Sequence, residues 1–405
     1  MVKNRSVRVW WFVVLFAAAA LPRLPVVPAG FTIDDPLLVE HAEASVGPAQ
    51  VLIESWPPGL YRPLVVLHFE VCQVLFGSWA PGYHMVSIAL HVVVTWLVCL
   101  LCARLSGFAW PALCAGLGFA LLPSSNEAIA WAASVGDLWA AAFVAASVLL
   151  AVAATEARPR VEGWLWAASL AAMVMGMMAK EPAMVAAVLV PLAAWFFGRR
   201  RPTWGWTLAY PAVAIAYASW YATRVAGPGM GAHLAGNPWQ CLSSTVQKLM
   251  MALVPFGQNT VGDLLWGGQG MSRILTVAGV AGLSVLVALA VRRRDRVAVF
   301  GWLWAVAAFL PVCRMPYGER YAYLPAVGLA LVAVAFLSRR RGRHSPAVTT
   351  ATVLVLVVFA LGSVLSAVRW TLQVGRYQNR SNAAAQWKPA PNAVSNTRSP
   401  ALIRP

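Results

Sequence analysis

The chain has 405 residues, 60% hydrophobic and only 11% charged, whereas an ordinary soluble domain is about a quarter charged. That composition excludes a chain of soluble globular domains. The formal net charge of +17 does not mark a nucleic-acid partner either, because the Lys and Arg residues are parcelled into short clusters at the ends of apolar runs.

Taken in chain order, the apolar runs predict eleven transmembrane helices at about 9–29, 82–103, 109–123, 138–155, 163–179, 182–198, 204–223, 272–291, 297–313, 321–338 and 347–368. Their lengths suit a hydrocarbon core about 30 Å thick. The first run follows a basic start and is read as a retained span, not a cleaved signal peptide. Clusters at Lys3/Arg5/Arg8, Arg104, Arg158/Arg160, Arg199 to Arg201, Arg292 to Arg296 and Arg339 to Arg343 fall on alternate connections. By the positive-inside rule those connections are cytoplasmic, so the N-terminus is inside and the C-terminus outside a plasma membrane. Two further apolar segments, Leu60 to Phe76 and Leu242 to Leu253, read as external helices lying in the interface, the first because it carries Arg62, His68 and Glu70. The division is therefore a polytopic domain over 1–368, whose external loop 30–81 holds two adjacent aspartates, and a polar external tail over 369–405, interfacial or disordered. The six cysteines are scattered over apolar segments and read as small packing residues.

On this topology eleven of the fourteen carboxylates face outward. Acidic residues have little influence on orientation, so the bias calls for another cause, and a polar external site is one. Four clusters are candidates. Phe31-Thr32-Ile33-Asp34-Asp35-Pro36 places two carboxylates together, where like-charge repulsion raises one pKa and suits it to accept a proton; a solvated turn with a helix-capping Asp is the bland alternative. Lys180 and Glu181, in Ala179-Lys180-Glu181-Pro182, sit at a membrane boundary where ionisable groups tend to be functional, against a snorkelling Lys beside a solvated Glu. In Gly318-Glu319-Arg320-Tyr321, the Arg fork can grip a phosphate, or it can pair with Glu319 in an aromatic belt. Glu127 and Asp137 share one loop, ten residues apart, and no helical-face argument joins them.

The ordered set Phe-x-Ile-Asp34-Asp35, Tyr61-Arg62-Pro63-Leu64, Gly82-Tyr83-His84 leading to His91, Asn126-Glu127-Ala128-Ile129-Ala130-Trp131 with Asp137, Ala179-Lys180-Glu181 and Glu319-Arg320-Tyr321-x-Tyr323-Leu324-Pro325 resembles GT-C glycosyltransferases. It is most similar to the membrane half of tetratricopeptide-coupled O-mannosyltransferases and their bacterial relatives, over about residues 9 to 390. The resemblance implies an all-α integral membrane bundle and inverting transfer of a mannose-like or related hexose from a polyprenyl-phosphate donor to a hydroxyl acceptor on protein, lipid or glycan. It implies Asp34 as general base with Asp35 assisting, and Lys180, Arg320 and Arg62 as donor-phosphate ligands. Glu127, Asp137, Glu181, Glu319, His84 and Tyr321 would shape the site. No cofactor is identified, and a divalent metal is left open. Two departures stand out: Leu122-Pro123-Ser124-Ser125 replaces a His-Pro-x-His pattern, and Val135 or Gly136 stands where a basic residue is common. The tail at Gln386-Trp387-Lys388-Pro389 looks like the entrance to a tetratricopeptide array, and acceptor recruitment by such repeats is not expected within this sequence. A carrier or flippase for a lipid-linked substrate, and an inactive GT-C-like scaffold, are the competing readings. A carrier should show mid-membrane charges or inverted repeats, and the sequence displays neither.

Overall fold

The computed structural model describes residues 5–44, 47–52, 59–225, 245, 282, 285, 287–313, 318–338 and 346–386, and every regular element among them is helical. The helices are α1 (Arg5–Ala20), α2 (Asp35–Glu43), α3 (Pro48–Val51), α4 (Pro63–Phe76), α5 (Ala80–Ser106), α6 (Ala109–Ala120) and α7 (Asn126–Ala130). They continue as α8 (Val135–Ala154), α9 (Pro159–Ala179), α10 (Ala186–Phe197), α11 (Trp204–Arg224), α12 (Arg296–Phe309), α13 (Tyr323–Ser338) and α14 (Pro346–Gln386). Six segments are long and apolar enough to cross a bilayer: Val9–Val26, Ala80–Ser106, Ala132–Ala154, Pro159–Ala179, Glu319–Ser338 and Thr349–Arg376. The chain is thus a helical protein built for multiple membrane crossings.

The expected count of eleven is not reached among the described residues. The runs at 109–123, 182–198 and 297–313 coincide with shorter apolar helices, and α11 covers 204–223 but is not among the long apolar segments. The segment 272–291 lies largely, and Leu242 to Leu253 almost wholly, outside the described residues. α4 has 14 residues, about 21 Å at 1.5 Å per residue, too short to cross by itself.

Local sequence sets the helix ends. α1 gives way to a 3-10 turn over Leu21–Val26 because Pro22 and Pro25 remove backbone donors. Pro22 leaves the Ala18 carbonyl without its helical partner, and the buried Arg23 guanidinium donates to that oxygen at 3.3 Å. Gly107 closes α5 in the left-handed conformation at φ 74°. Extended Lys180 ends α9, and Pro182 opens the next turn.

Within the bundle α8 pairs with α9 and α12 with α13. Ser147 and Ser169 exchange hydroxyl-to-carbonyl bonds of 2.7 Å across the first pair, and the Tyr210 hydroxyl donates to Ser169 Oγ at 2.8 Å. Gly301 and Gly328 let the second pair touch backbone to backbone, since a Cβ on either would stand within 2.7 Å of the other's carbonyl oxygen.

Two expectations are corrected. The tail expected over 369–405 as interfacial or disordered is helical as far as Gln386, where α14 ends after 41 residues, with Thr371 and Gln378 bonded to the Pro25 and Phe31 carbonyls; 387–405 lie outside the described residues. Cys313 is disulfide-bonded and so is not a mere packing thiol, whereas Cys72, Cys99, Cys102 and Cys114 are free.

Candidate active site

The two aspartates part company at the start of α2. Asp35 is fully buried, its Oδ2 accepting from the Thr32 N–H at 2.9 Å and its Oδ1 from the Ala133 N–H at 2.7 Å. Asp34, at the N-cap position, is exposed in a turn, as the bland alternative expects, but its side chain makes no capping bond. Between Thr32 and Asp34, Ile33 has φ 48°, a left-handed conformation that a β-branched residue adopts only under constraint. The Asp35 clasp on Thr32 supplies part of that constraint. Burial pushes the Asp35 carboxyl up to about 7; the Thr32 and Ala133 amides oppose the shift and Asp34 adds a smaller push. The repulsion expected from sequence is therefore secondary to desolvation, and it acts on Asp35.

Ala133 belongs to a 3-10 turn, Ala132–Ser134, between α7 and α8, so the Asp35 bond docks the aspartate loop midway between Glu127 and Asp137. Both of those carboxylates are buried, and each is met by a cation from a distant part of the chain. Glu127 Oε1 pairs with Arg320 Nη1, and Glu127 Oε2 accepts the Arg320 backbone N–H at 3.2 Å. Asp137 Oδ2 pairs with Lys180 Nζ. This second contact depends on Gly136, because a Cβ there would stand 2.8 Å from the Ala179 carbonyl oxygen. A basic side chain at that position would push α8 away from Lys180, which gives the departure at Gly136 a physical reason.

Glu181, next along the chain from Lys180, takes a two-pronged bond from Arg62, at 3.0 and 2.9 Å, with the Tyr221 hydroxyl donating to it at 3.2 Å. The three ion pairs form one electrostatic group. Asp137 acts on both Arg62 and Arg320, and Lys180 feels both of those cations. Tyr321 sits between two of the pairs, with Lys180 Nζ 5.4 Å and Arg320 Cζ 4.7 Å from its ring centre. Arg320 also stacks over Trp131, at 4.2 Å.

All four sequence clusters thus connect: Asp35 to the Ala132–Ser134 turn, Glu127 to Arg320, Asp137 to Lys180, and Glu181 to Arg62. Arg320 takes its carboxylate partner from Glu127, 193 residues away, and Glu319 opens the 3-10 turn that carries Arg320. His84 stands apart from the charged group. It is buried on α5 with Nε2 3.0 Å from the Ala29 oxygen, so it supports the base of the aspartate loop. His91 is likewise structural, tied to the Tyr323 hydroxyl at 2.7 Å. Among the described residues no three His, Cys, Asp or Glu side chains are grouped to hold a metal ion.

Sequence reading missed Arg23. Besides Ala18 it donates to Ser125 Oγ at 2.7 Å and to the Leu122 carbonyl at 3.3 Å. It thereby ties the end of the first span to the Leu122-Pro123-Ser124-Ser125 segment. The available signal was an Arg between two prolines inside an apolar run, where freed carbonyls need a donor.

No protein-family model, no curated protein and no solved structure matches this chain.

Proposed function

We propose that the protein is an inverting glycosyltransferase that takes a hexose from a polyprenyl-phosphate donor and passes it to an acceptor hydroxyl at the outer face of the plasma membrane. The observation that carries this reading is an exposed carboxylate on a constrained loop, joined through the Asp35–Ala133 bond to the segment that holds Glu127 and Asp137, in a group of three cations and three carboxylates of which Lys180, Asp137 and Glu127 are buried and Arg62, Glu181 and Arg320 half-buried. Asp34 accepts the proton of the attacking hydroxyl. The hydroxyl oxygen forms its bond to the anomeric carbon as the bond to the phosphate oxygen breaks, and polyprenyl phosphate leaves with the electron pair. Lys180 and Arg320 stabilise the negative charge that gathers on that phosphate. Each is held in place by its carboxylate, so the cations are oriented before the donor arrives, and Arg62 fixes Glu181 beside them.

Two features support the setting. Cys313 follows α12 and is disulfide-bonded, which fits an oxidising compartment on that side and hence an N-inside orientation. An apolar groove of 540 Å³ lies between α6, α13 and α14, and its Ala326 is six residues along the chain from Arg320. A groove so placed suits the isoprenoid chain of a donor whose phosphate is at Arg320.

The test is transfer by purified protein in phospholipid nanodiscs, offered synthetic polyprenyl-phosphate hexoses with hydroxyl acceptors. Release of polyprenyl phosphate with an inverted glycoside is expected, and nucleotide sugars should not serve. Transport of an intact lipid-linked sugar with no bond cleavage would replace this reading with the carrier.

A further inference from the structure

The loop that presents Asp34 is held from a direction the sequence did not announce. α14 runs past its apolar part, and Gln378 Nε2 donates to the Phe31 carbonyl at 3.1 Å. The approach is close: a Cβ on Gly30 would stand 1.9 Å from Gln378 Nε2. Two turns earlier the Thr371 hydroxyl donates to the Pro25 carbonyl at 2.7 Å, and Trp370 packs on Val26, Ala130 and Ala367. About two turns below that, the Ser363 carbonyl accepts from Asn126 Nδ2 at 2.8 Å, next to Glu127. The same helix therefore touches two of the segments that carry candidate site carboxylates, the one before Asp34 and the one that holds Glu127. Its contact at Phe31 lies two residues from Ile33, whose left-handed backbone must be maintained for Asp34 to project as it does.

We propose that the polar end of α14 braces the aspartate loop and that Gln378 is a positioning residue for Asp34; this rests on the reading of Asp34 as the base. The Gln378 amide fixes the entry to the strained residue, while the Asp35 carboxylate fixes its exit through Thr32 and Ala133. Neither group touches substrate in this scheme. Both act through the direction in which Asp34 points, so their loss should act on turnover and spare donor binding.

Full-length Gln378→Met in nanodiscs keeps the side-chain length and removes the donor, Gln378→Lys keeps a donor, and Gly30→Ala expels the amide from its seat. Hydrogen exchange over residues 29–36 should quicken about fivefold in Gln378→Met and Gly30→Ala, the factor for one net hydrogen bond. kcat should fall about tenfold to a hundredfold, as for small misplacements of a reacting group. Donor KM and the melting midpoint should stay near wild type, and Gln378→Lys should recover most of the kcat. The double variant Gly30→Ala/Gln378→Met should be no worse than either single one, because both remove the same contact. Unchanged loop exchange in both single variants would overturn the brace. So would faster exchange across the whole bundle with a matching fall in melting, which would make the contact merely structural. Wild-type protein inert toward every polyprenyl-phosphate hexose, with the local exchange responding as expected, would end the transferase reading and leave the brace standing.

Discussion

Asp137→Ala tests whether the Asp137–Lys180 pair is buried at the heart of the charged group. Lys180 and Asp137 are each about 8% exposed along their side chains, so removing the carboxylate strands an ammonium in a dry setting. The group would then hold Arg62, Lys180 and Arg320 against only Glu127 and Glu181, a change from neutral to one net positive charge. Truncating one partner of a buried pair costs about 3–5 kcal/mol. Deleting both partners with Asp137→Ala/Lys180→Met keeps the aliphatic stem packed, and the cost should shrink to roughly 1 kcal/mol, the scale of an ordinary substitution. The double variant should therefore be about 2–4 kcal/mol more stable than Asp137→Ala alone, a rescue that only coupled sites show. Equilibrium unfolding in mixed neutral and anionic detergent micelles, followed by tryptophan fluorescence, reads all four corners of the cycle. A single-variant cost below about 1 kcal/mol would mean a solvated pair, and additive costs would mean no pair at all. Either result would refute the buried-pair geometry.

Arg320→Lys should weaken donor use appreciably and Arg320→Ala more so, since a point charge replaces a planar fork that also stacks on Trp131. Glu127→Gln should lower stability with a smaller effect on donor KM, and normal donor kinetics in Arg320→Ala would remove Arg320 from phosphate binding. For Asp35 the sign follows from a carboxyl raised on folding from 3.8 to about 7. The folded state holds the proton more tightly across that window, so wild-type stability measured against Asp35→Asn should fall as pH rises from about 4 to about 7 and level off above it. A gap between the two proteins that stays constant from pH 4 to pH 8 would contradict the burial of this group.

The bundle was legible because apolar runs of membrane length have few alternatives, and α8, α9 and α13 lie close to their expected bounds. The Lys180-Glu181 hinge was legible for a related reason: a charged pair before Pro182 can neither continue a helix nor sit in lipid. Pairings were not. Nothing local tells Glu127 that its partner is Arg320 and not a nearer base, because the choice is made by the packing of α7 against the turn at 319–322. The roles within Asp34-Asp35 were equally hidden, since two identical side chains one residue apart differ only in which one the backbone turns inward. The extension of α14 was missed because its polar composition matches a disordered tail, and its helix is held by contacts with Pro25 and Phe31 that lie hundreds of residues away.

The central claim is most directly tested at Asp34, by comparing polyprenyl-phosphate release by wild-type protein and by Asp34→Asn with the same acceptor in the same nanodiscs. The substitution keeps the shape of an exposed side chain and removes the basic oxygen, so insertion and melting should match wild type. Turnover should fall roughly a hundredfold or more, the scale of general-base removal. Wild-type turnover in Asp34→Asn would contradict the account.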